Sequence, residues 1–299
     1  MGEFFSVLCS VFWAGAIIFY KKSGESFSPR ALNLYKNAIS GSIFLIACLL
    51  IGERLIPENF QLIDFLLLGL SGLLGIALAD TFLFMSINRL GASLIGIIEA
   101  VYLPSVFFIT AVFFKEQITT KTYIGAELVA VAIVISSVDL EQTKHLSLKL
   151  LLPGVFYGVL GMFLTAFSIV MIKKPFIVDY SILEKYSAIW SATVRICCAV
   201  VFLFIFYSFG DDKGFFKRFK DNRMWHFVIP GTLCGGVFSM FSWVLGMKLI
   251  DKVSLGAVLN QLAIVFIIIF AALFLKEKIT FKKFISLLFA IVGGLVVIL

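Results

Sequence analysis

The feature that most constrains this chain is that it is written twice. AVFFKEQIT, from Ala111 to Thr119, returns as ALFLKEKIT from Ala272 to Thr280, a constant shift of 161 residues (111 to 272). The match extends over the stretch from Ser86 to Ser137. Each copy has a long apolar run, a charged knot and a second apolar run, and Ser93 before the first copy answers Ser254 before the second. A short motif can recur by chance; one that carries its flanking segments at fixed spacing marks a duplicated half.

Composition then decides what the halves are made of. The chain is 61% hydrophobic and 14% charged, with mean hydropathy +1.07. A soluble domain is nearer half apolar and a quarter charged, so this is a polytopic membrane protein. The net charge of +7 needs no nucleic-acid partner, because Lys and Arg gather at the ends of apolar runs, where headgroups hold them. The N-terminal stretch lacks a basic leader and a small-residue cleavage site, so it reads as a retained first span rather than a signal peptide. The five cysteines all fall inside apolar runs without metal-ligand spacing and read as small buried hydrophobes. No HExxH, phosphate-cradling glycine loop or serine–base pair occurs, so neither an enzyme nor a bound cofactor or metal is expected.

A helix crosses a bilayer in about 20 apolar residues. On that measure the chain divides into ten spans: 4–20, 31–52, 62–87, 93–114, 121–138, 147–172, 181–208, 224–247, 254–275 and 281–299. The runs are too long and evenly apolar for barrel strands, so the fold class is all-α. Residues 1–140 form the first five-helix repeat and 141–299 the second. Because five is odd, the second enters the bilayer from the opposite face. Inverted repeats of this kind are a transporter signature, with the substrate site near midplane between the halves.

Charges within spans are costly and so are functional candidates. At about 1.5 Å per residue, Lys36, Asp80 and Glu99 fall in one leaflet's half of the protein, and Glu127 and Arg195 in the other. Lys36 and Arg195 occupy matching places in NLYKNAISGS and SATVRICCAV. The expected pairings are Lys36 with Asp80 or Glu99, and Arg195 with Glu127. Asp80, in the otherwise apolar run GIALADTFLF, is the residue expected to carry a coupling proton. Asn260 and Gln261 are adjacent amides in span nine that can meet a polar ligand or join helices. Trp13, Tyr102, Tyr157 and Trp243 are candidate aromatic walls. Pro104 should kink span four near Glu99 and serve as a hinge. The knots Lys115-Glu116 and Lys276-Glu277 should end helices at opposite surfaces, with a gate-closing ion pair the lesser alternative.

The two repeats, LGASLIGIIEAVYLPSVFFITAVFFKEQITTKTYIGAELVAVAIVI and VSLGAVLNQLAIVFIIIFAALFLKEKITFKKFISLLFAIVGGLVVI, with the opening FWAGAIIFYKK, resemble the EamA-type fold of the drug/metabolite transporter superfamily. The resemblance covers essentially the whole chain. It implies ten spans in two inverted halves and secondary transport, with export the expected direction, of a small polar or amphipathic metabolite such as an amino acid by alternating access. The alternatives are an organic-phosphate or nucleotide-sugar carrier, or a lipid-translocating or structural membrane protein. The partners expected are a small-molecule substrate and the bilayer, in the cell (plasma or inner) membrane; proton coupling and the choice between monomer and homodimer stay open. Relatives of this kind keep both termini in the cytoplasm, whereas the excess of Lys and Arg lies on the other side of the membrane, so orientation also stays open.

Overall fold

The computed structural model describes the chain except residues 24–26, 116, 138–147, 174, 176, 209–221 and 275–278. The described residues are helical with no strand. Eight helices are long and apolar enough to cross a membrane, with the shorter apolar Tyr102–Phe113 beside them.

In the first half, α1 (Gly2–Ser23) leads to α2 (Pro29–Ile51). Ser28 caps α2 by accepting from the Ala31 N–H, and Pro29 fills the first turn, where no N–H is needed. Gly52, with φ 77°, ends it in a left-handed turn that a side chain would resist. Then come α3 (Leu62–Gly72), a π-helical segment (Leu73–Leu78), α4 (Ala79–Glu99), α5 (Tyr102–Phe114) and α6 (Thr120–Ser137). The second half contains α7 (Leu148–Lys173), the short α8 (Ile182–Lys185), α9 (Ala188–Ser208) and α10 (Asn222–Gly231). A second π-helical segment (Thr232–Ser239) precedes α11 (Met240–Leu249), α12 (Val253–Asn260), α13 (Ala263–Phe274) and α14 (Phe281–Ile298).

Where the halves meet, equivalent helices run antiparallel. Along α2 and α9, Arg30 lies over the Phe206 ring, a Cβ on Gly41 would touch Ile196, and Cys48 meets Thr193. Along α6 and α14, Lys121 donates to the carbonyl of Leu299, and Gly125 lies against Gly293 and Val297. Each half is thus the other turned over, as an odd number of crossings requires.

Two departures from straight helices repeat in both halves. The π-helical segments fall at corresponding places, 73–78 and 232–239 under the same shift. So do the breaks, at Ala100–Val101 and Gln261–Leu262. The expected boundary between spans three and four is corrected in part: α4 continues helically through the predicted connection at 88–92 up to Glu99, and the interruption comes inside the predicted span 93–114. Backbone that loses its helical bonds at such depth must find other partners or line a cavity; Glu99 and Tyr102 flanking the first break and Gln261 in the second line one. Of the charged knots, Glu116, Lys276 and Glu277 lie outside the described residues.

Candidate functional site

The breaks and π-helical segments converge on one cavity of about 160 Å³. At about 30 Å³ of liquid volume per water it has room for about five waters, or for a small ligand. Its wall includes Trp13 of α1, Lys36 of α2, Asp80 of α4, Glu99 and Tyr102 flanking the first break, Trp243 of α11, and Asn260 and Gln261 at the second break. Eight of the expected site residues therefore share one void. Thr165, Met162, Cys9, Ser239 and Met240 join them. Those five carry no signal in the sequence, since small or apolar residues in spans read equally well as packing.

Lys36 forms an ion pair with Asp80. The lysine is buried, while 17% of the aspartate side chain is exposed, toward the cavity it lines. The Lys36 ammonium also lies 6.0 Å from the Tyr20 ring centre and 5.7 Å from that of Phe84, within cation–π range. The π-helical segment beside this pair has its own support. The Asn33 amide reaches the carbonyls of Ile76 and Ala77 at 3.0 and 3.2 Å and Thr81 Oγ1 at 3.0 Å. A Cβ at Gly75 would stand 2.1 Å from Ser168 Oγ, so only glycine lets α7 come this close. On the other side of the void, Ser10 Oγ of α1 reaches the carbonyls of Leu259 and Asn260 at 2.9 and 2.8 Å, meeting the acceptors freed by the break after α12. The side-chain amide of Asn260 has no hydrogen-bond partner.

Arg195 is placed differently from its expectation. Glu127 is exposed on the outer face of α6, a helix that packs on α14 and α4, whereas α9 packs on α2 and α3. The expected Arg195–Glu127 pair is therefore absent. Arg195 is wholly buried, and none of its three guanidinium nitrogens makes a hydrogen bond. Its charge centre lies 4.8 Å from the Trp243 ring, and a Cβ at Gly75 would stand 3.6 Å from Nη2. Both Trp243 and Gly75 line the cavity. Tyr157 is also displaced: it stacks on Phe82, carries Arg89 over its ring, and lies outside the cavity wall. Pro104 sits in the first turn of α5 on an exposed face. Its missing N–H is the one that would have bonded to Ala100 across the break.

The cavity lies between two sets of contacts joining the halves. Toward one membrane face, Phe27 and Tyr35 of the first half meet Trp225 of the second at 6.3 and 5.4 Å between ring centres. Toward the other, Asp64 at the start of α3 accepts from Lys185 Nζ at 2.6 Å and from the hydroxyls of Tyr180 and Tyr186 at 2.7 Å each. Nearby, Glu53 accepts from Ser187 and the carbonyl of Leu55 from the Trp190 indole. Burial works against the Lys185 charge, but its hydrogen bonds to Asp64 and Tyr186 outweigh it and hold its pKa well above the ordinary lysine value. No cluster of metal-ligating side chains occurs among the described residues.

Comparison with known proteins follows the same two-part plan. The model of the EamA-like transporter family matches the chain twice, over residues 1–138 and 152–299. Comparison with curated proteins gives no match. A solved structure titled "Crystal structure of protein" superposes with a TM-score of 0.77 at 12% identity, covering 99% of this chain and 95% of the other. At that identity the likeness concerns the fold alone.

Proposed function

We infer the function from one premise: this chain belongs to the EamA-like transporter family. It is an integral multi-pass membrane protein whose general role is transport. The reading proposed beyond that is secondary transport of a small polar or amphipathic metabolite, moved by rocking of the two halves about the shared cavity.

One observation carries this reading: a mid-chain cavity, walled by both halves, holds buried charge. Charged groups in a bilayer are expensive, and a structural bundle would have no use for Lys36, Asp80 and Glu99 around a void. Lys36 and Asp80 suit coupling to a proton. A proton delivered to Asp80 would cancel the attraction and free the ammonium. The expected cycle alternates between pairing and protonation. The cavity's size favours an amino-acid-sized solute over a nucleotide-sugar in this conformation. The residues around Trp13, Tyr102, Asn260, Gln261 and Trp243 would contact the solute, with Pro104 at the hinge.

The test is flux in proteoliposomes under an imposed pH gradient, with wild type and Asp80→Asn side by side. Gradient-driven uptake of a water-soluble tracer by wild type and its loss in the variant support the reading. Undiminished proton-driven uptake by Asp80→Asn removes Asp80 from coupling, and absence of any solute flux with intact, monodisperse protein removes transport.

A further inference from the structure

Among the described residues, Arg195 is the one wholly buried charged side chain without a hydrogen bond. Other buried charges are matched: Lys36 by Asp80, Lys173 by Glu184, and Asp64 by Lys185. A guanidinium carries five donors and does not lose its charge in proteins. Burying it without a protein acceptor costs stability that a neutral side chain of similar size would not. The Trp243 ring offsets part of that cost, but supplies no acceptor in the guanidinium plane.

The position of the group suggests what it is for. Arg195 lies directly behind the cavity wall: a Cβ at Gly75 would stand 3.6 Å from Nη2, and the guanidinium packs under the Trp243 ring, both residues lining the void. Asn260, whose amide is unmatched on both its oxygen and its nitrogen, lines the same cavity. An orphan cation and an orphan amide beside one void are the complement of a missing anion with further hydrogen-bonding capacity.

We propose that Arg195 is the anion-binding residue of the cavity, and that the ligand it reads is a small organic carboxylate with an apolar body. A carboxylate offers two oxygens in the plane and spacing of the guanidinium fork. Its single charge cancels that of Arg195; a dianionic phosphate would leave an excess negative charge beside Asp80 and Glu99. Trp13, Met162, Met240 and Ile264 supply the apolar wall. The proposal rests on the transport reading of this cavity and names the chemistry of its cargo.

The experiment compares purified wild-type protein with Arg195→Met, Arg195→Gln and Arg195→Lys. Thermal shift is read against small carboxylates from propanoate to 3-phenylpropanoate and neutral amino acids, each beside its own amide. The expected result is a rise in Tm with a carboxylate and none with its amide. The apparent affinity should fall about 10- to 100-fold in the Met and Gln variants, the range for losing a charge-assisted contact, and less in the Lys variant. Without ligand, Arg195→Met should melt no lower than wild type. No separation of any carboxylate from its amide in wild type overturns the proposal, as does a shift retained in Arg195→Met or a lower ligand-free Tm in that variant. Flux in vesicles separates the two readings. A carboxylate that stabilises but does not cross ends the transport reading and keeps the Arg195 assignment. A neutral or cationic solute that crosses equally well with Arg195→Met keeps transport and ends the assignment.

Discussion

Lys36 and Arg195 occupy corresponding places in the two halves: each follows the start of its helix, Pro29 or Ala188, by seven residues. Their surroundings have diverged. In the first half, the neighbouring helix supplies Asp80 to match the lysine, and the π-helical segment beside it is fastened by Asn33. In the second half, the position corresponding to Asp80 is Phe241, and the arginine has an indole face and no acceptor. One scaffold has thus produced a cation matched within the protein and a cation left over. The matched cation has its partner within the protein; the unmatched one leaves its donors for the ligand proposed above. Under the function proposed above, that division assigns one cation to coupling and the other to the cargo.

Breaking the first-half pair should have the largest effect. Lys36→Met and Asp80→Asn each leave a partner stranded, at a cost of about 3–5 kcal/mol for a fully buried pair and less here because Asp80 meets the cavity. Chemical unfolding in detergent should show both variants below wild type, and Lys36→Met/Asp80→Leu should regain much of the loss. Equal stability of single and double variants would mean that the pair is not the matched unit described. The same experiment on Arg195→Met should give the opposite sign, and a loss of stability there would erase the contrast between the halves.

A smaller effect is expected at the breaks. Ser10→Ala removes the hydroxyl serving the Leu259 and Asn260 carbonyls and should cost about 1 kcal/mol. Amide exchange should accelerate first at Gln261–Ala263; unchanged exchange there would show that the break does not depend on α1. The smallest effect concerns Lys185. Its raised folded pKa means that both states keep the proton below the unfolded value of about 10.4. Above it the unfolded chain loses the proton first, so stability falls as pH climbs toward the folded value. Wild type should therefore lose more stability than Lys185→Met in that alkaline range, and parallel curves would show that the Asp64 cluster is not holding the ammonium.

Much of this was legible in the chain. The duplication and the odd number of runs per copy dictate inversion, and buried charge at matching depth brought Lys36 to Asp80. The breaks were legible on one side alone. Pro104 flags the first, because it lacks the N–H that would bridge the gap. Its counterpart, Val265, carries no such flag, yet the second half breaks at the same place; there the interruption is sustained by Ser10, from a helix about 250 residues away in sequence. Arg195 was placed wrongly for a related reason. Shared depth suggests Glu127, but α6 and α9 lie on different sides of the bundle, and depth says nothing about azimuth. Tyr157 has the right depth and faces Arg89 instead of the void.

The antiparallel seating of α1 has one more consequence. Its start meets Ile250 and its end meets Gly231 and Gly235, while α7 lies in the corresponding way against Leu90 and Ala79 of the first half. Each half has lent its opening helix to the other, like two hands with crossed thumbs. A nascent chain leaving the ribosome therefore cannot finish its first module until most of the second has been translated. The membrane must hold α1 in lipid through most of synthesis, with first-half neighbours such as Lys36 and Phe84 but without those of the second half.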